Sequence, residues 1–230
     1  MRLLLTNDDG IDAIGLKLLA EVCQGLPQTS QVSVVAPLEE QSGVGHRVHT
    51  RGGLRWEDRG AGRFALGGTP ADCTRVALRG LGLSSDWVIS GLNHGGNLGV
   101  DIHMSGTVAG AREGAILGLQ GIAISQVLNM KHPPDLVRMR ATTRRVLEHL
   151  FARPLPSGQF YNVNLPFAPE SDEPEMVVCT PDPSPHDVRF KESAGEFSYC
   201  GVFLNRPRVP DCDVEVVFAG KIAISVLRIV

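Results

Sequence analysis

The pair Asp8-Asp9 stands in TNDDGI, residues 6–11, where an apolar run ends and a helical pattern begins. Two adjacent carboxylates oppose each other's ionisation, and no Lys or Arg lies beside them in the sequence. Such a pair can serve a hard cation, because Mg²⁺ and its relatives take anionic oxygens supplemented by neutral ones. Ser42 and Asn93 offer neutral oxygens from other polar segments. A plainer role is also open: Asp is a common helix N-cap, and one of the two could cap the helix that starts near Ile14. That leaves the second carboxylate without a role. The next candidate is Ser105-Gly106-Thr107, which opens a second helical pattern. Free backbone N–H groups, a glycine and two hydroxyls suit a phosphate, although an ordinary Ser or Thr N-cap gives the same pattern. The segment has neither the glycine spacing nor the Lys of a Walker loop, and GLNHGGNLG (residues 91–99) does not satisfy GxGxxG.

Histidines and cysteines point less sharply. The histidines (46, 49, 94, 103, 132, 149 and 186) form no HExxH, and His46 with His49 in one loop is a weak zinc pattern. His94 and His103 flank the anion candidate and could act as acid, base or positioning groups, whereas His149 suits a structural or solvated role. Cys23, Cys73, Cys179, Cys200 and Cys212 are odd in number and lack a CxxC, which argues against a disulfide framework or a zinc knuckle and for a reducing compartment. Cys73 is expected in the core, and a cysteine nucleophile is not expected.

The elements that must position these groups follow from periodicity. RLLLT (2–6), VSVVAP (32–37), DWVISG (86–91) and IAIS (122–125) read as buried strands. Leu16, Leu19, Cys23 and Leu26 share one helical face; TPADCTRVALRGL gives a helix capped by Thr69 with Pro70 at its first position. TVAGAREGAILG (107–118) is a small-residue helix, and DLVRMRATTRRVLEHLF (135–151) a longer amphipathic one. Continuous apolar strands alternating with helices indicate an α/β fold, a doubly wound, mostly parallel sheet covered on both faces. In such sheets ligands bind at the carboxyl ends of the strands, where the polar segments at 7–10, 39–43, 91–99 and 105–107 converge. Six prolines between Pro166 and Pro185 mark an extended, loop-rich segment, and FSYCGVFL and KIAISVLRIV read as later strands. The expected division is a core over 1–150 and a β-rich extension over 151–230.

Bulk composition excludes several classes. The 230 residues, 43% hydrophobic and 20% charged, suit one globular domain with an embellishment. A net charge of −3 gives no basic face for a nucleic-acid duplex, although a small anion could still be held locally. No stretch approaches the ~20 apolar residues of a membrane span, and the N-terminal run is too short for a secretory signal, so the expectation is a cytoplasmic protein.

Five blocks, LLLTNDDGI (3–11), VVAPLEEQSGVGH (34–46), GGTPADC (67–73), VISGLNHGGNLG (88–99) and SGTVAGAREG (105–114), resemble in order those of the SurE family of stationary-phase survival proteins, metal-dependent nucleotidases. Weaker similarity continues through FYNVNLP (160–166) and DVEVVFAGKIAIS (213–225). The resemblance implies a Rossmann-like core with a hairpin-bearing extension, one divalent ion (Mg²⁺ or Mn²⁺) on Asp8, Asp9, Ser42 and Asn93, and a phosphate facing Asn97 and Ser105–Thr107. Asp8 or Asp9 would also accept a proton from the attacking water, and GTPAD would lie near the nucleoside. The implied substrate is a nucleoside 5'-monophosphate, with 3'-monophosphates and short polyphosphate as further substrates, and the implied assembly a homodimer or homotetramer. The chain departs from the pattern at Ile14, Arg47 and His49, in 182–200, and in its short carboxyl end. Arg47 and His49 leave open an alternative, a nucleotide-binding regulatory module without turnover.

Overall fold

A computed structural model describes residues 1–128, 134–167, 169 and 171–230; His132 lies outside them. In chain order the elements are β1 (Arg2–Thr6), α1 (Ile14–Gln24), β2 (Gln31–Pro37), β3 (Trp56–Asp58), β4 (Arg63–Leu66), α2 (Pro70–Arg75), β5 (Trp87–His94), α3 (Gly106–Ile116), β6 (Gln120–Gln126) and α4 (Leu136–Phe151). Then follow β7 (Gln159–Leu165), β8 (Met176–Val178), β9 (Phe190–Ser193), β10 (Glu196–Tyr199), α5 (Asp213–Phe218) and β11 (Ile222–Arg228).

Among the described residues nine strands form one sheet in the order β3-β4-β2-β1-β5-β6-β7-β11-β8. β3 runs antiparallel to β4 and β11 antiparallel to β7; the other neighbours are parallel. Residues after 151 therefore extend the same sheet through β7, β11 and β8, while β9 and β10 form a separate two-stranded hairpin. The apolar run of β1 explains why both faces are covered. Leu3 and Leu5 point into the cluster made with Leu16 and Leu19 of α1 and Val146, Leu147 and Leu150 of α4. Leu4, between them, points to the opposite face, where it packs with Val35, Val88 and Cys73 of α2. Each such leucine contributes about 1.5–3 kcal/mol of burial, which fixes the strand's register.

The small residues of α3 have a packing reason. A Cβ added at Gly110 would lie 2.8 Å from Thr6 Cγ2, and one at Gly114 2.7 Å from Val88, so α3 sits hard against β1 and β5. That close approach brings the amino end of α3 to the carboxyl end of β1. Chain direction across the sheet diverges at β1, with β2 on one side and β5 on the other; the crevice between β1 and β5 is where an open α/β sheet binds its ligand.

Candidate active site

Four loops meet over that crevice. The carbonyl of Asp8 accepts from Gln41 N–H (2.7 Å), so the loop after β1 is stitched to the one after β2 that carries Ser42. Gly45 N–H donates to the Met104 carbonyl (3.0 Å), joining that second loop to the entry of α3. Asp9 Oδ2 faces the His94 N–H at 3.4 Å, next to Asn93. Asn93 lies within β5 rather than in the loop after it, because a register shift between Ser90 and Asn93 prolongs the pairing with β6. A bulge of this kind re-aims side chains at a strand end. Gly91 (φ +140°) is needed there, since a Cβ would fall 2.2 Å from the Ile124 carbonyl oxygen.

Asp8 is buried, and its Oδ1 accepts the Thr107 hydroxyl proton. Gly106 leaves room for it: a Cβ at that position would stand 2.9 Å from Asp8 Cβ. Neither Asp8 nor Asp9 makes an ion pair with any described Lys, Arg or His. Burial pushes the Asp8 carboxyl up to about 6; the Thr107 hydrogen bond opposes the rise and the Asp9 charge adds to it. Asp9 is also raised, by burial first and by the Glu40 charge, against the pull of His94.

The donor chemistry around the pair is all hard oxygen. Ser42 gives its proton to Glu40 Oε1 (2.6 Å), which leaves the lone pairs of its oxygen available. Asn93 Nδ2 donates to the Gly95 carbonyl (2.9 Å), which leaves Oδ1 as its unengaged end. Two carboxylates without an ion-pair partner and two neutral oxygens, one on the loop after β2 and one at the end of β5, fit a Mg²⁺- or Mn²⁺-type ion. Among the described residues no group of three or more His, Cys, Asp or Glu is arranged to hold a metal, so two carboxylates with neutral oxygens are what the site could offer.

At the amino end of α3, Ser105 is the N-cap, its Oγ accepting from Val108 N–H (3.0 Å). The Thr107 hydroxyl being committed to Asp8, what remains for an anion is the first-turn backbone N–H groups of Gly106 and Thr107. Asn97 lies elsewhere in the hydrogen-bond pattern. Its Nδ2 donates to Ser125 Oγ (2.7 Å), its N–H to Asn164 Oδ1 (2.8 Å), and its carbonyl accepts from Asn162 and Asn164. No hydrogen bond ties it to Ser105–Thr107.

Sequence reasoning missed the groups that brace this site. Glu113, completely buried on α3, accepts from His46 Nε2 and Arg75 Nε, both at 2.7 Å. Asp72 accepts from the His49 N–H (2.8 Å), the His49 ring (2.6 Å) and Thr69 N–H (3.0 Å), completing a capping box on α2. Burial acts to raise both carboxyls, but the hydrogen bonds from His46 and Arg75, and from His49 and Thr69, outweigh it and hold both below the usual range. His46 and His49 thus serve two different carboxylates rather than one shared ion. The Arg47 side chain is exposed, with Nη2 3.5 Å from His49 Nε2, while its carbonyl accepts from Thr69 Oγ1 (2.7 Å). A buried Glu in a helix of small residues is a readable signal of this clasp; its partner 67 positions away is not.

Residues 3–184 match the family model described as survival protein SurE. A Nostoc sp. protein is 43% identical over 230 residues, spanning all of both chains. The 5'-nucleotidase SurE of Brevibacillus brevis is 37% identical over 246 residues, covering all of this chain and 91% of its own. Among solved structures, the SurE protein from Aquifex aeolicus superposes with a TM-score of 0.86 at 27% identity, over 99% of this chain and 93% of that one.

Proposed function

The chain belongs to the SurE family, and from that premise we propose that it is a divalent-metal-dependent phosphomonoesterase that hydrolyses nucleoside 5'-monophosphates. One observation carries the reading: two adjacent, partly or fully buried carboxylates, without an ion pair among the described residues, stand at the sheet's switch point, against the amino end of α3. Curated relatives named as 5'-nucleotidases support the substrate class.

Asp8, Asp9, Ser42 Oγ and Asn93 Oδ1 would hold the ion. Once bound, a divalent cation supplies charge neutralisation on the phosphoryl oxygens and acidifies a water. The chain's own groups do the rest. Thr107 fixes Asp8 by occupying Oδ1, which leaves Oδ2 for the cation side. Asp9 would accept a proton from the attacking water, a role supported by its lesser burial and the long bond at Oδ2. The Gly106 and Thr107 N–H groups, at the positive end of α3, stabilise charge on the equatorial phosphoryl oxygens. Glu113 and Asp72 keep the 42–49 loop in place through His46 and His49.

The regulatory-module alternative rests on Arg47 and His49, of which His49 is hydrogen-bonded to Asp72 and Arg47 stands 3.5 Å from His49. No described helix is long and apolar enough to cross a membrane. On the hairpin, Phe190, Phe197 and Tyr199 are each more than half exposed, which supports assembly into a homodimer or homotetramer through the extension. The test is phosphate release from nucleoside monophosphates with Mn²⁺ or Mg²⁺ against an EDTA control. Turnover that survives both chelation and Asp9→Asn would overturn the metal-dependent reading.

A further inference from the structure

The short turn Gly99–His103 delivers the chain into the amino end of α3. The Asp101 carboxylate on this turn is gripped by a residue 105 positions further along the chain. Arg206 donates to it twice, Nη1 to Oδ2 at 2.6 Å and Nη2 to Oδ1 at 3.0 Å, and His186 Nε2 stands 3.1 Å from Oδ1. We propose that Arg206 is a positioning residue for hydrolysis: through Asp101 it holds the amino end of α3 where its N–H groups meet the phosphate. The inference rests on the phosphomonoesterase reading and adds a group, outside the crevice, on which phosphate binding depends.

Each link from Arg206 to the site is a contact. The Asp101 N–H donates to the Leu98 carbonyl (3.1 Å) and the Asp101 carbonyl accepts from Met104 N–H (3.0 Å), so the turn moves as a unit with its carboxylate. The Met104 carbonyl accepts from Gly45 N–H (3.0 Å). The next residue, Ser105, caps α3, and Gly106 stands against Asp8. From the α3 side, Arg112 Nη2 reaches the Ile102 carbonyl at 3.3 Å, so the turn is held between α3 and Arg206.

The grip sets direction as well as distance. Asp101 and Arg206 are only 16% and 11% exposed, and a two-pronged guanidinium–carboxylate bond fixes the carboxylate plane, which a lysine could not do. The Arg206 guanidinium also lies 4.8 Å from the centre of the Phe203 ring, and a Cβ added at Gly96 would stand 3.2 Å from that ring. Arg206 thereby backs the segment after Asn93 at a second point. His186 and Arg206 bound the arm that carries β9 and β10, whose residues are all exposed. Both roots of the arm thus end on one carboxylate, beside a cavity of about 280 Å³, so directed polar bonds rather than continuous packing join arm to turn. Other anchors remain when the grip is removed. Asp213 accepts from Gly99 N–H and Asp182 N–H, and Asp182 from Val209 N–H, each at 2.8 Å.

The test compares wild type with Arg206→Ala, Asp101→Asn and Arg206→Lys. It reads KM and kcat for AMP, the inhibition constant of inorganic phosphate, and the rise in Tm with Mn²⁺. A misplaced α3 end weakens substrate and phosphate together, so KM and the phosphate constant should both rise about tenfold in Arg206→Ala and Asp101→Asn, with kcat within about threefold. The Mn²⁺ response should stay at the wild-type value, because Asp8 and Asp9 are carried by β1. Arg206→Lys, which keeps the charge and one bond, should recover most of the loss, and the double variant should be no worse than the worse single one. Wild-type constants in Arg206→Ala and Asp101→Asn overturn the positioning role. So does a KM that rises while the phosphate constant stays, or a loss of phosphate and Mn²⁺ binding together. If Arg206→Ala does not fold, Asp101→Asn and Arg206→Lys decide on the same readouts. Wild-type protein that releases no phosphate from AMP sinks the phosphomonoesterase reading, and calorimetry with inorganic phosphate then decides the positioning role alone.

Discussion

Two pairs of acidic residues in this molecule are built from the same chemistry and treated in opposite ways. Glu113 and Asp72, on α3 and α2, are buried but fully answered: each has a histidine, plus Arg75 or the cap of its helix, and each is held below the usual carboxylate range. Asp8 and Asp9, at the end of β1, make no ion pair among the described residues and are both raised by burial, Asp9 against the pull of His94. Two buried carboxyls are thus answered from within the fold, whereas Asp8 and Asp9 make no ion pair with a described residue and are the pair proposed to hold the cation. The first pair braces the fold, and the second is the proposed site.

The largest expected effect breaks the second pair. Asp8→Asn or Asp9→Asn should lower phosphate release by about 10²–10³-fold, the scale on which preorganised electrostatic groups act, while the midpoint of thermal unfolding stays level or rises. Removing an unanswered buried charge costs the fold nothing. A fall in stability with activity retained would reverse the contrast.

Next comes the scaffold pair. Glu113→Ala should cost about 2–3 kcal/mol in urea unfolding, below the ~3–5 of a fully buried pair because Arg75 stays partly solvated. Its effect on the chemistry should pass through a looser 42–49 loop, seen as weaker Mn²⁺ binding by calorimetry. If stability is untouched, the clasp to His46 is ornamental.

Acid separates the pairs without mutation. The folded-state pKa values of Glu113 and Asp72 lie below those of the unfolded chain, so the stability they add is complete above the unfolded values near pH ~4 and is lost as pH falls through the folded ones. Urea midpoints should therefore drop below about pH 4, with a shallower drop in Glu113→Gln. The smallest expected change is in the cap alone: Thr69→Ala should cost about 1 kcal/mol by the same unfolding assay.

Local pattern explains what could be read before the structure. β1, β2 and β6 carry continuous apolar runs, and the helices at 14–24, 106–116 and 136–151 carry caps or periodic faces, so these elements were legible. Ser105 as cap and Cys73 as core were legible for the same reason. Three things were not. Asn93 sits in β5 because a bulge extends that strand, and a bulge depends on its neighbour β6. β11 inserts between β7 and β8, a pairing across more than 40 residues that no window reveals. FSYCGVFL forms a strand only as far as Tyr199 and then turns at Phe203–Asn205, where Arg206 folds back on Asp101. The Glu113–His46 and Asp101–Arg206 contacts share that character: they join residues 67 and 105 positions apart, and sequence shows such carboxylates without showing what answers them.

The most direct test of the proposed cation pair is a thermal-unfolding titration with Mn²⁺ in wild type and Asp9→Asn, with no substrate present. Binding to the folded state alone raises stability by about 2.7 kcal/mol at a hundredfold excess over Kd. The account predicts a rise in Tm with Mn²⁺ for wild type, reversed by EDTA, and little or none for Asp9→Asn. An identical Tm response in both proteins, or no response in wild type, would contradict it.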